Sequence, residues 1–466
     1  MVNRAFVGLA ILVWAGAAIV VTVSGRTATA TEHDPNLLVF DNASGQLRTF
    51  GAKGAIDFEN PFFQALGTNG RSCVSCHQPE NAWSITPANV QARFAATAGA
   101  DPVFMNNDGS NCEGVLPGSI AEKRAAYSLL LSRGLIRVGL DVPAGAEFVI
   151  ESVSDPNGCG PATTDVSFYR RPLPSTNLRF LTAVMWDGRE SLATSTIEQD
   201  LLRQANSATR GHAQGVFDLT TEQAEAIVKF EMQLFTAQAR DRHAGNLQSQ
   251  GAHGGPQAVA RQPFFIGIND PVGLNPTGAA FDPNAFTLFN AWASLNGSND
   301  PQTEARRAIA RGQAIFNTRP MTMSGVGGLN GHTFSNGFTV PDTIVGSCTT
   351  CHDAPNAGDH SVKAPLDLGL AAPEVAPYLP VYTLRHLVTQ ETIATTDAGR
   401  AMISGKWADI GRFKGPILRG LAARAPYFHN GSAATLEEAV EFYEKRFTLG
   451  LTAQEKSDLL AFLRAL

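Results

Sequence analysis

The sequence predicts a mainly α-helical chain of two domains, with long ordered loops and a few short strands. Three observations predict it. The chain has 466 residues, 44% of them hydrophobic and only 17% charged, so it can bury more than one core. Apolar residues recur at helical spacing in several segments. One five-residue motif occurs twice, about 270 residues apart, farther than a single small domain requires.

Met1 to Ala30 has the pattern of an export signal. Arg4 supplies a positive charge, Ala5 to Val23 is uncharged and apolar, and Ala28-Thr29-Ala30 is a small-residue cleavage site. Left uncleaved, the same run is long enough to anchor the chain in a membrane. Residues 106–118 and 245–283 are rich in Gly, Asn and Pro and read as loops. Val-rich stretches near 134–153 suggest a hairpin. Ala226, Ile227, Phe230, Leu234 and Phe235 predict a helix over Glu222–Arg240. Three more helices are expected at Thr303–Phe316, Leu436–Arg446 and Thr452–Leu466. The domain boundary is placed near residue 300, at Asn296-Gly297-Ser298-Asn299-Asp300.

Composition excludes two function classes. Disorder needs low hydrophobicity and high net charge, and this chain has neither. Its formal charge of −6, without basic runs, argues against a nucleic-acid partner.

The repeated motif is Cys73-Val74-Ser75-Cys76-His77 and Cys348-Thr349-Thr350-Cys351-His352. C-x-x-C-H is the attachment signature of c-type haem. Its two thiols form thioethers with the porphyrin vinyl groups, and the adjacent imidazole becomes the proximal iron ligand. A disulfide inside each C-x-x-C, or a zinc site, is the structural alternative. Zinc would need further ligands at short spacing, and neither motif has them. Two covalent haem c groups are therefore expected, one in an N-terminal domain (31–300) and one in a C-terminal domain (301–466), each cytochrome c-like. Haem attachment of this kind places the chain in a bacterial periplasm. The remaining cysteines, Cys112 and Cys159, either form a disulfide in that oxidising compartment or stay as thiols.

Three further segments resemble the di-haem cytochrome c peroxidase and MauG family. They are Met185-Trp186-Asp187-Gly188-Arg189, Phe413-Lys414-Gly415-Pro416-Ile417-Leu418-Arg419, and Ala425-Pro426-Tyr427-Phe428-His429-Asn430-Gly431, followed by Thr435-Leu436-Glu437-Glu438-Ala439-Val440. Their order and spacing match over most of residues 60–466, while the loops at 100–165 and 240–300 are longer than in compact members. The resemblance implies a peroxide-reactive first domain and an electron-transfer second domain, with Trp186 as the relay between the haems. Its bland reading is an ordinary buried aromatic.

The resemblance also fixes what is missing. Conventional members close the first haem with a His upstream of W-D-G-R; here that stretch, Arg170 to Asn177, has none. His77 is then the sole protein ligand and the first haem stays open to peroxide or dioxygen. For the second haem, counting sixteen residues from Tyr427 reaches Tyr443, with Met402 as the alternative ligand. His360 and His386 are fallbacks, and His429 is a structural or hydrogen-bonding residue near that haem. A distal acid–base is expected where conventional members carry Glu, but the position falls on Thr209. His212, with Arg210 beside it to polarise the leaving oxygen, is the substitute; Glu190 and Glu198 are other carboxylates within reach. A calcium ion between the haems, another family feature, meets Arg171 and Arg424 at its ligand positions, and a guanidinium there would take the cation's place. His332 is read as packed or exposed, and no chemistry is expected of His33, His243 or His253.

Together these readings imply an oxidoreductase reducing hydrogen peroxide at the first haem with electrons from the second. The donor would be a small c-type cytochrome or cupredoxin. One alternative is a MauG-like oxidase or oxygenase acting on a protein or organic substrate through high-valent iron. The other is a di-haem electron carrier without catalysis. Membrane contact is expected only if the N-terminal segment is retained.

Overall fold

The computed structural model describes residues 34–160, 165–296 and 300–466. The export-signal segment and the centre of the expected boundary at 297–299 lie outside the described residues. Among the described residues no helix is long and apolar enough to cross a membrane.

The described residues fold as helices joined by long loops, together with four small antiparallel sheets. That is more sheet than the few strands expected. The first hairpin, Leu37–Asn42 with Gly45–Gly51, turns at Gly45, where φ is +142° and a Cβ would stand 2.1 Å from the Arg240 carbonyl oxygen. Only glycine tolerates both demands. The sheet is extended by Leu234–Asp241, which pairs with Gly45–Gly51.

That strand corrects one expectation. The helix over 222–240 stops at Gln233, and the chain continues as strand Leu234–Asp241. Residues Leu234 to Ala239 are all buried, so both faces of the strand are apolar or internally bonded. A fully buried strand carries no alternation, and its apolar residues happen to continue the helical spacing. The Asn177 side chain fixes the transition, accepting from the Thr236 amide at 3.0 Å and donating to the Thr236 carbonyl at 2.9 Å.

The expected hairpin near 134–153 is also corrected. Both strands form, but Ile136–Asp141 pairs with Asp165–Arg170, and Phe148–Ser154 pairs with Val381–His386. Strand propensity marks the segments but does not choose partners. The other three helices form over Pro301–Thr318, Leu436–Phe447 and Ala453–Arg464. Asp300 caps the first, accepting from the amides of Gln302 and Thr303.

Two cores hold the site walls. Phe62, Trp83, Ile227 and Phe230 pack beside the first C-x-x-C-H motif. Phe286, Phe289, Trp292, Phe316 and Phe462 pack beside the second, joining residues from both sides of position 300. Each fully buried aromatic contributes on the order of 2–3 kcal/mol by area. A disulfide joins Cys112 and Cys159 across a 47-residue separation, as one sequence alternative held. It closes a loop that stabilises the fold by about 4 kcal/mol in the chain-entropy account.

Candidate functional site

The two motifs are built alike. Cys73–Ser75 and Cys348–Thr350 are single 3-10 turns, each opened by a hydroxyl residue, Ser72 or Ser347, in a capping box with Ser75 or Thr350. The turn brings His77 and His352 back to donate their amides to the carbonyls of Cys73 and Cys348, both at 3.0 Å. Each imidazole then meets a backbone carbonyl six residues on. His77 Nδ1 lies 3.1 Å from the Trp83 carbonyl oxygen, and His352 Nδ1 lies 2.6 Å from that of Gly358. A carbonyl only accepts, so Nδ1 carries the proton and Nε2 keeps its lone pair. Burial lowers His77 to about 4 and lowers His352 in the same direction, so both rings are neutral donors. The motif sulfurs are not joined to one another, which removes the disulfide alternative.

Each motif floors its own cleft. The two are of similar size. Cys73, Cys76 and His77 line the first; Cys348, Cys351 and His352 line the second. Between them stands a shared wall that includes Arg171, Trp186 and Lys414. Trp186 is held by its indole N–H donating to the Arg171 carbonyl at 2.8 Å, and its own carbonyl accepts from the Lys414 amide at 2.9 Å.

The W-D-G-R turn is anchored by charge. Asp187 is buried and pairs with Arg170 at 2.5 Å and Arg189 at 3.2 Å. Arg170 also grips Asp397 with two bonds of 2.7 and 2.8 Å. Burial alone would raise the Asp187 carboxyl, but Arg170 and Arg189 hold it down at about 2.

Two other guanidinium groups on the cleft walls lack a carboxylate. Arg419 leaves Nε and Nη2 without a hydrogen-bond partner, and Arg424 leaves Nε so. Burial lowers Arg419 to about 9 and Arg424 to about 10. Arg419 faces the first cleft, Arg424 the second, and Lys414 both. An unpaired buried guanidinium is costly, so these clefts are made for an anionic guest with a broad apolar body. A haem, with its porphyrin and propionates, fits that description at both sites.

Arg171 differs. It donates to the carbonyls of Arg133 at 2.9 Å, Ile85 at 2.6 Å and Arg424 at 3.0 Å. A guanidinium thus sits among backbone oxygens where the resemblance had implied a calcium ion.

Around the first cleft, every residue from Arg170 to Asn177 lines the wall, along with Thr209 and His212. Arg210 does not. Helix Ile197–Gly211 turns Thr209 inward and Arg210, about 100° further round, outward to the Val216 carbonyl and Asp218. Glu190 and Glu198 are also absent from the wall. Around the second cleft, Tyr443, His360 and His429 line the wall. Met402 lies instead in a separate cluster with Phe148 and Tyr382, and His386 packs on Trp407. The ligand alternatives Met402 and His386 are therefore away from the second cleft. Tyr443 packs against Phe428, Phe442 and Phe447, and burial raises its phenol. His332 stacks edgewise on Phe334, while His243 and His253 are exposed; His33 is outside the described residues.

Sequence reasoning missed Asp108, which bonds His212 Nδ1, and Glu231, a buried carboxyl on the first wall. Burial pushes Glu231 up to about 7. Neither had a local signal. Lys414 and Arg419 did: they are charges inside an otherwise apolar element, although no role had been read from them.

The chain matches no family-wide sequence profile. It is 38% identical over 137 residues to cytochrome-c peroxidase IdrP2 of Denitromonas iodatirespirans, a match covering 26% of this chain and 36% of that protein. It is 33% identical over 141 residues to cytochrome-c peroxidase IdrP1 of Pseudomonas sp. (strain SCT), covering the same shares. Cytochrome c551 peroxidase of Nitrosomonas europaea is 32% identical over 120 residues, 26% of this chain and 30% of that one. The matched stretch thus spans about a third of these relatives, all named as peroxidases. The resemblance to cytochrome c peroxidases read from the motifs is borne out. A solved MauG-like protein associated with microbial copper homeostasis overlaps 87% of each chain at a TM-score of 0.37 and 14% identity, too slight a likeness to argue from.

Proposed function

We propose that this chain is a periplasmic di-haem c oxidoreductase that reduces hydrogen peroxide in the first cleft with electrons received through the second. The overall step is peroxide plus two electrons and two protons giving two waters. The observation that carries the reading is the paired construction: two C-x-x-C-H turns, each with a carbonyl-locked His, flooring clefts that share Trp186 as a wall. Bound at those turns through Cys73, Cys76 and His77 and through Cys348, Cys351 and His352, the haems would supply the one-electron chemistry that side chains lack.

The chain's own residues do the rest. Arg419 and Arg424 neutralise the propionates. Trp186, in van der Waals reach of both clefts, is the relay. His212 holds and returns the peroxide proton at Nε2. Tyr443, on the wall of the second cleft, would hold the iron there, and a hard anionic donor would favour its ferric state. Arg171 makes calcium unnecessary. The first C-x-x-C-H motif belongs to residues 31–300 and the second to residues 301–466, with Phe286, Phe289 and Trp292 crossing over to pack beside the second. The reduced partner is a small c-type cytochrome or cupredoxin.

A MauG-like oxidase, acting on a protein or organic substrate, is the second reading. Thr209 favours it, since a buried Thr stands on the first wall where conventional members carry Glu. Peroxide turnover with reduced cytochrome c separates the readings. The first requires sustained oxidation of the cytochrome. The second requires a peroxide-induced spectral change without it, and a pure carrier shows neither.

A further inference from the structure

The long segment after the first motif places a carboxylate, Asp108, behind a residue of the first cleft's wall. His212 follows the end of helix Ile197–Gly211, and its main chain is clamped. Its carbonyl accepts from Asn69 Nδ2 at 2.8 Å, Arg71 Nη1 at 3.2 Å and Asn107 Nδ2 at 3.2 Å. Its ring lines the cleft, and Nδ1 lies 2.5 Å from Asp108 Oδ2. The other Asp108 oxygen bonds Arg71, whose remaining nitrogens donate to the carbonyls of Pro102 and Val103, both at 2.7 Å. Asp108 is 5% exposed, while the His212 side chain is 36% exposed. The carboxylate is therefore dry and the imidazole open.

The segment is built to hold this geometry. Gly109 permits the turn after Asp108, where a Cβ would stand 2.8 Å from the Met105 carbonyl oxygen. Three residues on, Cys112 is tied to Cys159. Asn107 reaches the Gly211 carbonyl at 2.8 Å, bracing the segment on the helix end. The charged or titratable groups facing the pair are Arg71, His77 and Cys76.

We propose that Asp108 is a positioning residue: it holds His212 with the proton on Nδ1 and Nε2 facing the first cleft, making a carboxylate–imidazole pair for hydroperoxide reduction. Ionised Asp108 only accepts, so Nδ1 must donate and Nε2 carries the lone pair. Nε2 takes the proton from the hydroperoxide oxygen and returns it to the oxygen that leaves as water or hydroxide. Two electrons from the reduced carrier protein and a second proton complete the balance. Asp108 stays ionised throughout and stabilises the imidazolium between the two transfers. This inference rests on the peroxidase reading for its substrate, but the tautomer stands apart from it.

The test compares wild type, Asp108→Asn, His212→Gln and the double variant, all as haem-loaded full chains. Asn keeps the size of Asp108 but donates to Nδ1 and forces the proton onto Nε2. We expect kcat for peroxide reduction to fall about 10²–10⁴-fold in each single variant with KM little changed, and no further in the double variant. Imidazole ¹⁵N resonances of the reduced, carbon monoxide-bound protein are expected to show His212 protonated on Nδ1 in wild type and on Nε2 in Asp108→Asn. His212→Gln leaves the Asp108–Arg71 pair intact and serves if Asp108→Asn does not fold. Retention of kcat within about threefold in either single variant, additive losses in the double, or a wild-type proton on Nε2 overturns the proposal. A wild type with the Nδ1 tautomer but no peroxide turnover overturns the catalytic half and the peroxidase reading, while the positioning stands.

Discussion

Asp187 shows how one residue's charge state enters stability. Its carboxyl is held at about 2 by Arg170 and Arg189, against an ordinary value of 3.8. A depressed acid contributes stability that is fully present above the unfolded pKa and lost as pH falls through the folded one. Between about pH 4 and pH 2 the protein therefore loses about 2 kcal/mol from this group. Acid titration of the denaturation midpoint checks it: Asp187→Asn should flatten the curve in that window and lower stability at neutral pH by about 3 kcal/mol. At the second cleft, Tyr443→Phe is expected to change the visible spectrum and lower the stability of the ferric state; an unchanged spectrum rejects Tyr443 as ligand. The residues that could be read in advance were those with a local signature. Cys73, Cys76 and His77 announce themselves because the chemistry demands that spacing. Arg210 misled, because adjacency in sequence to Thr209 puts the two on different faces of one helix turn. Asp108 was silent because its meaning depends on a partner 104 residues away.

Among the elements, the helices were legible and the sheets less so. Helix Pro301–Thr318 buries Ile309, Ala310 and Phe316 at helical spacing, and Gly312 within it permits contact with helix Ala453–Arg464. A Cβ there would stand 1.9 Å from the Asp458 carbonyl oxygen. Gly312→Ala is expected to destabilise the protein by about 1–3 kcal/mol through overpacking, read as a lower denaturant midpoint at constant slope. The strands, by contrast, pair over long separations: Phe148–Ser154 finds Val381–His386, which no local pattern could indicate. Strand Leu234–Asp241 was hidden for a different reason, since burial on both faces erased its alternation. The Cys112–Cys159 link belongs to this scale too. Cys112→Ser with Cys159→Ser should cost up to about 4 kcal/mol, and should loosen the segment that carries Asp108 more than the helices, visible as faster amide exchange over 106–118.

For the whole molecule, a net charge of −6 conceals two clefts whose charged lining is mostly cationic. Arg171, Lys414 and Arg419 are buried and Arg424 half-buried on the walls of the two clefts, where Glu231 is the one lining carboxylate among the described residues. The repeated motif explains why: two porphyrins with four propionates would bring the missing negative charge. Trp186 stands in the wall of both clefts. Trp186→Phe is therefore expected to leave haem content unchanged and to slow peroxide-driven oxidation of a reduced cytochrome by tenfold or more. The central claim is two covalent haems of unequal coordination, the first held by His77 alone. Electron paramagnetic resonance of the resting protein tests it most directly. Two haems per chain are expected, one high-spin and one low-spin ferric. Two low-spin signals, or fewer than two haems, would contradict it.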